Sequence, residues 1–278
     1  MKWQGRRGSG NIEDRRRQGT SGAAIGGVGG VGVLAIVVIG YFLGIDLTPM
    51  LGAGDGTAKS GPVEITEADE RAAEFVSVTL ADTEEVWADI FRTELSQEYV
   101  PPTLVLFKGA TQSACGGASA ATGPFYCPVD KSIYLDTDFF TTMERQLGAS
   151  GDFAQAYVVA HEIGHYVQDA LGILDQAQRG PQGAEGNSVR TELQADCFSG
   201  VWAFHAQERF GSIEQGDIAE AMNAAEQIGD DTLQRESGQV VRPDSFTHGS
   251  SDQRQRWFER GHESGDIGRC DTFAATDL

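Results

Sequence analysis

Cationic side chains are scarce in this chain. Its 21 Lys and Arg stand against 41 Asp and Glu, for a net charge of −20. That sign argues against nucleic acid as a partner, because phosphate backbones are bound by neutralising cations. Six of the few cations (Lys2, Arg6, Arg7, Arg15, Arg16 and Arg17) fall in the first twenty residues, so the remainder is more acidic than the total suggests. Cysteine is also rare. There are four, none in C-x-x-C spacing, which argues against a dithiol redox motif or a structural zinc site. No internal repeat is evident. Histidine occurs only five times.

Two of those five stand in His161-Glu162-Ile163-Gly164-His165, an H-E-x-x-H motif. Residues four apart share one face of a helix, so both imidazoles can converge on one tetrahedral Zn²⁺ at about 2.0–2.1 Å each. Glu162 is turned a quarter of the way round, within reach of a zinc-bound water whose pKa falls towards roughly 7. The surrounding stretch, Asp152 to Leu171, reads as a helix. Phe153, Ala156, Tyr157, Ala160, Ile163, Gly164 and Val167 form its apolar face, with Asp152 as N-cap and Gly172 as stop. Two His and one Glu inside a mostly apolar helix need a reason to be there, and a metal is the simplest. The bland alternative is a pair of solvated surface imidazoles.

Catalytic zinc takes three protein ligands. Glu192 and Asp196, four apart in a second helical stretch running to about Phe210, offer the third ligand and a carboxylate to orient an imidazole, His161 in the first place. The plainer reading makes them an acidic stripe on a solvated helix. His205 lies about 20 Å further along that stretch at 1.5 Å per residue, and Cys197 is turned away from Glu192. The longer H-E-x-x-H-x-x-G-x-x-H pattern is absent.

Residues 23–45 carry no charge and centre on Val33 to Ile39, long enough to cross a bilayer core of about 30 Å. They are expected to form a transmembrane helix, a single-pass anchor. Residues 1–22 then form a basic cytoplasmic tail by the positive-inside rule, residues 46–63 a flexible linker, and residues 64–278 an extracytoplasmic domain. A cleaved signal peptide and a core helix are the alternatives. An even cysteine count suits an exported domain. Of three possible connectivities, Cys115 with Cys127 and Cys197 with Cys270 is the expected one.

The rest of the chain reads as a mostly helical α+β domain with one small sheet. Helices are expected over 65–95 (with a bend near 80–82), 137–147, 213–228 and 250–263, and strands over 104–107, 125–127 and 132–136. The last strand is a candidate edge for an extended substrate, or a plain core strand.

The segments CGGASAATGPFYCPVDKSIYLD, HEIGHYVQ, ELQADCFSGVWA and FTHGSSDQRQRWF resemble a family of neutral zinc metallopeptidases, membrane-anchored bacterial proteins of poorly defined role. The likeness covers nearly the whole chain. It implies a zincin-like fold, one zinc ion per chain, His161, His165 and Glu192 as ligands, and Glu162 as the catalytic acid/base. His248, inside the last segment, is either an oxyanion-stabilising residue or part of a helix-capping turn. The function expected is zinc-dependent hydrolysis of peptides or proteins. The alternatives are a non-catalytic zinc-binding adaptor or chaperone of the envelope, and hydrolysis of a non-peptide amide by the same residues. The sequence does not fix an oligomeric state.

Overall fold

The computed structural model describes residues 1–18, 64–119, 122–176 and 180–278. Among the described residues the elements are, in chain order, a short strand β1 (Ile12–Asp14), helix α1 (Glu67–Thr93), strands β2 (Thr103–Phe107), β3 (Ala110–Ser113), β4 (Gly116–Ser119), β5 (Phe125–Cys127) and β6 (Ser132–Asp136), and helices α2 (Thr137–Gln146), α3 (Asp152–Ala170), α4 (Asn187–Phe210), α5 (Asp217–Gln227), α6 (Asp230–Glu236) and α7 (Ser251–Ser264). The expected mostly helical α+β class with a small sheet is what is found.

Local chemistry sets the helix ends. Thr66 and Asp69 form a reciprocal capping box at the start of α1, and Ser250 with Gln253 form another at the start of α7. Asp136 caps α2 by accepting the N–H of Asp138 at 2.9 Å. Helix α1 runs unbroken through residues 80–82, where a bend was expected. Val76, Thr79, Leu80, Thr83, Val86 and Trp87 are all buried, so a continuous stripe packs it against the core.

The main sheet has the order β1-β2-β6-β5. β1, β2 and β6 are parallel, and β5 is antiparallel to β6. β6 is therefore interior, with a partner on each side. The edge role considered for it falls instead to β5, which flanks α3. The segment around Gly116–Gly117 forms the β3–β4 hairpin, tied to β5 by the Cys115–Cys127 disulfide. Cys197–Cys270 ties α4 to the C-terminal segment, so both expected pairings are present.

The first eighteen residues depart from the expected free tail. β1 pairs with β2 in the sheet, and Trp3 packs edge-on against Phe75 of α1 at 5.4 Å. Arg6 forks onto Asp82 at 2.6 and 2.7 Å. Arg16 is buried, donating to Asp14, to the Asp69 carbonyl and to Glu70. The cause is charge: the acidic face of α1 collects the few cations, and the apolar Met1, Trp3 and Ile12 fill gaps beside them. These residues, expected to form a basic cytoplasmic tail, pack on the domain. The anchor (23–45) and linker (46–63) themselves lie outside the described residues. Among the described residues no helix is long and apolar enough to cross a membrane.

Candidate metal centre

Helix α3 is buried on nearly every side. Gly151, not Asp152, is its N-cap, and Asp152 lies one residue inside. The capping is done from a distance, by the Glu220 carboxylate accepting the Phe153 N–H at 3.0 Å. α3 meets α4 at Gly164. A Cβ there would stand 3.0 Å from the Ala195 Cα and carbonyl oxygen, so glycine lets the two backbones approach more closely than a side chain would without a shift. It brings the His161/His165 face of α3 against the Glu192/Asp196 face of α4.

The three predicted ligands converge. His161 Nε2 lies 3.2 Å from one oxygen of Glu192, and His165 Nε2 lies 3.6 Å from the other. The imidazoles are perpendicular, with centroids 4.7 Å apart. Ligand atoms each about 2.0–2.1 Å from one tetrahedral cation stand about 3.3 Å apart, so the spacing fits zinc, as does the set of two imidazoles and one carboxylate. Burial lowers the His161 pKa, but Asp196 and Glu192 outweigh it and push it up to about 9. His165 is raised by Glu192 against the same burial, and Glu192 is held well below the carboxylate range by the two imidazoles despite its own burial.

Each imidazole is fixed from behind. Asp196, fully buried, sits 2.8 Å from His161 Nδ1 and accepts the Tyr157 hydroxyl at 2.5 Å. Arg254 of α7 donates to both Asp196 oxygens at 2.8 and 2.9 Å. Burial raises the Asp196 pKa, but Arg254 and His161 bring it down to about 2. α7 reaches this position because Gly261 packs directly on the Cys197 carbonyl of α4, where a Cβ would clash at 2.0 Å. Behind His165, Nδ1 lies 2.9 Å from the Gln168 amide oxygen. Gln168 donates to the Thr191 carbonyl and to Gln194, and Gln194 donates to the Cys270 carbonyl. Arg254, Tyr157 as a polar group, Gln168 and Gln194 were not singled out from the sequence for this role. The only hint was that Arg254, Gln168 and Gln194 lie in segments carrying the family resemblance.

Glu162 is buried beside the ligands, in the cavity that Tyr126 of edge strand β5 also lines. Burial raises its pKa, opposed by the two imidazoles. This is the environment of a carboxyl group poised to exchange a proton. His248 lines the same cavity, of about 370 Å³, as His161, Glu162, His165 and Glu192. Its Nδ1 lies 3.4 Å from Asp230, whose other oxygen accepts the backbone N–H groups of Thr247, His248 and Gly249. Ser250 caps α7, and His248 lies in the turn just before it, as one of the two expected readings had it. His205 bonds to the Gly265 carbonyl and takes no part in the site.

The family described as "Putative neutral zinc metallopeptidase" matches residues 1–273. The uncharacterized protein YpfJ of Escherichia coli (strain K12) is 46% identical, covering 98% of this chain and 99% of its own length. The uncharacterized protein Rv2575 of Mycobacterium tuberculosis (strain ATCC 25618 / H37Rv) is 50% identical over 65% of each chain. No solved structure matches. On the family match and the near-full-length likeness, the chain belongs to the neutral zinc metallopeptidase family.

Proposed function

We propose that this protein is a zinc-dependent peptidase with a zincin-like active site, holding one zinc ion on His161, His165 and Glu192. The observation that carries the reading is the burial of Glu162 beside those three side chains and against an edge strand. A non-catalytic zinc module has no need of a desolvated carboxyl group there.

When bound, zinc supplies Lewis acidity to the attacking water and to the scissile carbonyl. The chain's own groups do the rest. β5 is one of the two edges of the sheet and the one beside the cavity, so an extended peptide laid along it would pair through main-chain groups. Glu162, its pKa raised by burial, takes a proton from the water and returns it to the leaving nitrogen. His248, steadied by Asp230, presents its other ring nitrogen to the cavity. Its pKa is raised by Asp230 and Glu192 against the opposing burial, so it is suited to donate to the developing oxyanion. Asp196 and Gln168 keep both ligand imidazoles in the tautomer that leaves Nε2 free for metal. Two disulfides suit an oxidising compartment, and the uncharged stretch 23–45 suits contact with a membrane.

The test is Glu162→Gln. It should keep zinc, by elemental analysis, and lose hydrolysis of a peptide library by at least about 10²-fold, the lower end for general acid–base catalysis. Undiminished chelator-sensitive cleavage by that variant would refute the assigned role. An absence of cleavage by the zinc-loaded parent would favour the adaptor reading.

A further inference from the structure

We infer that the cleft selects a large apolar side chain immediately beside the scissile bond. The inference rests on the peptidase reading and names its substrate class. Beyond the metal-binding residues, the cavity wall is built from Phe139 and Leu147 at either end of α2, Val158 of α3, Ile228 at the end of α5 and Leu233 of α6. Val158 stands three residues before His161 and four before Glu162, so it lies on the same face of α3, one turn away. The apolar wall therefore begins one helical turn from the reacting centre.

The ionisable side chains lining the cavity, besides the Tyr126 and Tyr157 hydroxyls, are His161, Glu162, His165, Glu192, His248 and Arg254. Five are engaged by protein side chains: the two imidazoles and Glu192 with one another, His248 with Asp230, and Arg254 with Asp196. The sixth, Glu162, is the acid/base. Both tyrosine hydroxyls are spent, on Asp169 and Asp196. No charge is left over to receive a charged substrate side chain, and burying one unpaired is costly. A volume of about 370 Å³ lies within the usual range for small-ligand sites. Main-chain pairing along β5 reads no sequence, so discrimination falls to this wall. Burying a Leu or Phe side chain corresponds to about 10- to 100-fold in specificity.

The experiment uses fluorogenic octapeptides of a Gly/Ser background with one position set to Leu, Phe, Ala, Asp or Lys. Leu and Phe should raise kcat/KM about 10- to 100-fold over Ala, with Asp and Lys at or below Ala. The same peptides, fluorescein-labelled, should bind the zinc-loaded Glu162→Gln protein in the same order by anisotropy, a readout that needs no turnover. Val158→Phe and Leu147→Phe, which fill the cavity, should collapse the Leu-to-Ala ratio towards 1. If neither variant folds, the peptide series on the parent protein decides alone. Equal rates and equal binding across Leu, Ala and Asp would overturn the inference and leave the peptidase reading standing. Failure to cleave any of them would sink that reading itself.

Discussion

Arg254 grips Asp196 with two nitrogens, Nε at 2.8 Å and Nη2 at 2.9 Å, and Asp196 in turn holds His161. The last long helix of the chain thereby reaches the metal ligand of another helix through one buried carboxylate. Arg254 and Asp196 are 2% and 0% exposed, so solvent cannot replace either partner. Arg254→Met strands a buried charge at a cost of about 3–5 kcal/mol. It should lower the denaturation midpoint and weaken zinc binding about 10- to 100-fold by competition with a chelator. Arg254→Lys keeps the charge but loses the fork, and should recover only part of both.

Gly164 sets the distance between the two ligand-bearing helices. Gly164→Ala places a methyl group 3.0 Å from Ala195 backbone, which cannot move aside as a flexible side chain would. Separation of α3 from α4 by a few tenths of an ångström should loosen the fit of Glu192 to both imidazoles. Zinc content by elemental analysis should fall while far-UV circular dichroism still reports helix. Full zinc occupancy would show that the close approach is dispensable.

Zinc binding should be strongly pH-dependent. His161 has a metal-free pKa raised to about 9, so below that pH it enters the reaction protonated, and His165 is raised in the same direction by Glu192. Zinc must displace those protons, and its affinity should therefore rise with pH towards about 9 and fall below it. Calorimetry in buffers of different ionisation enthalpy should record net proton release at pH 7. A pH-independent affinity would contradict the pairing with Asp196 and Glu192.

The two disulfides should not be equivalent. Each closes a loop, and loss of either costs roughly 2–5 kcal/mol in a small exported domain. Only Cys197–Cys270 adjoins the metal: Cys197 follows Asp196, and the Cys270 carbonyl receives the Gln194 amide that leads to Gln168 and His165. The Cys197→Ala/Cys270→Ala protein should lose zinc affinity, whereas Cys115→Ala/Cys127→Ala should destabilise the β3–β4 hairpin and leave zinc affinity nearly unchanged. Chelator titration of both double variants decides.

The amino-terminal segment and the domain should lie on the same side of any membrane they contact. Arg6 and Arg16 are locked to α1 through Asp82 and Glu70. Single cysteines placed at exposed Gln4 and at exposed Val240 should react alike with a membrane-impermeant maleimide in intact spheroplasts. Opposite labelling would restore the single-crossing arrangement and require β1 to leave the sheet.

What the sequence determined by itself was whatever one helix or one short strand can express: the H-E-x-x-H face of α3, the 192/196 face of α4, strands β2 and β6, and the mostly helical class. These are local, because side-chain direction repeats every 3.6 or 2 residues whatever surrounds it. Tertiary structure alone decided the rest. β1 is polar and three residues long, and it becomes a strand only because β2 offers an open edge. α6, seven residues with little apolar pattern, could not be read, although its Asp230 anchors His248. The edge strand proved to be β5 rather than β6, since strand order depends on pairing and not on composition. Whether Glu192 meets two imidazoles rested on how closely α3 and α4 approach, which Gly164 permits but no periodicity reveals.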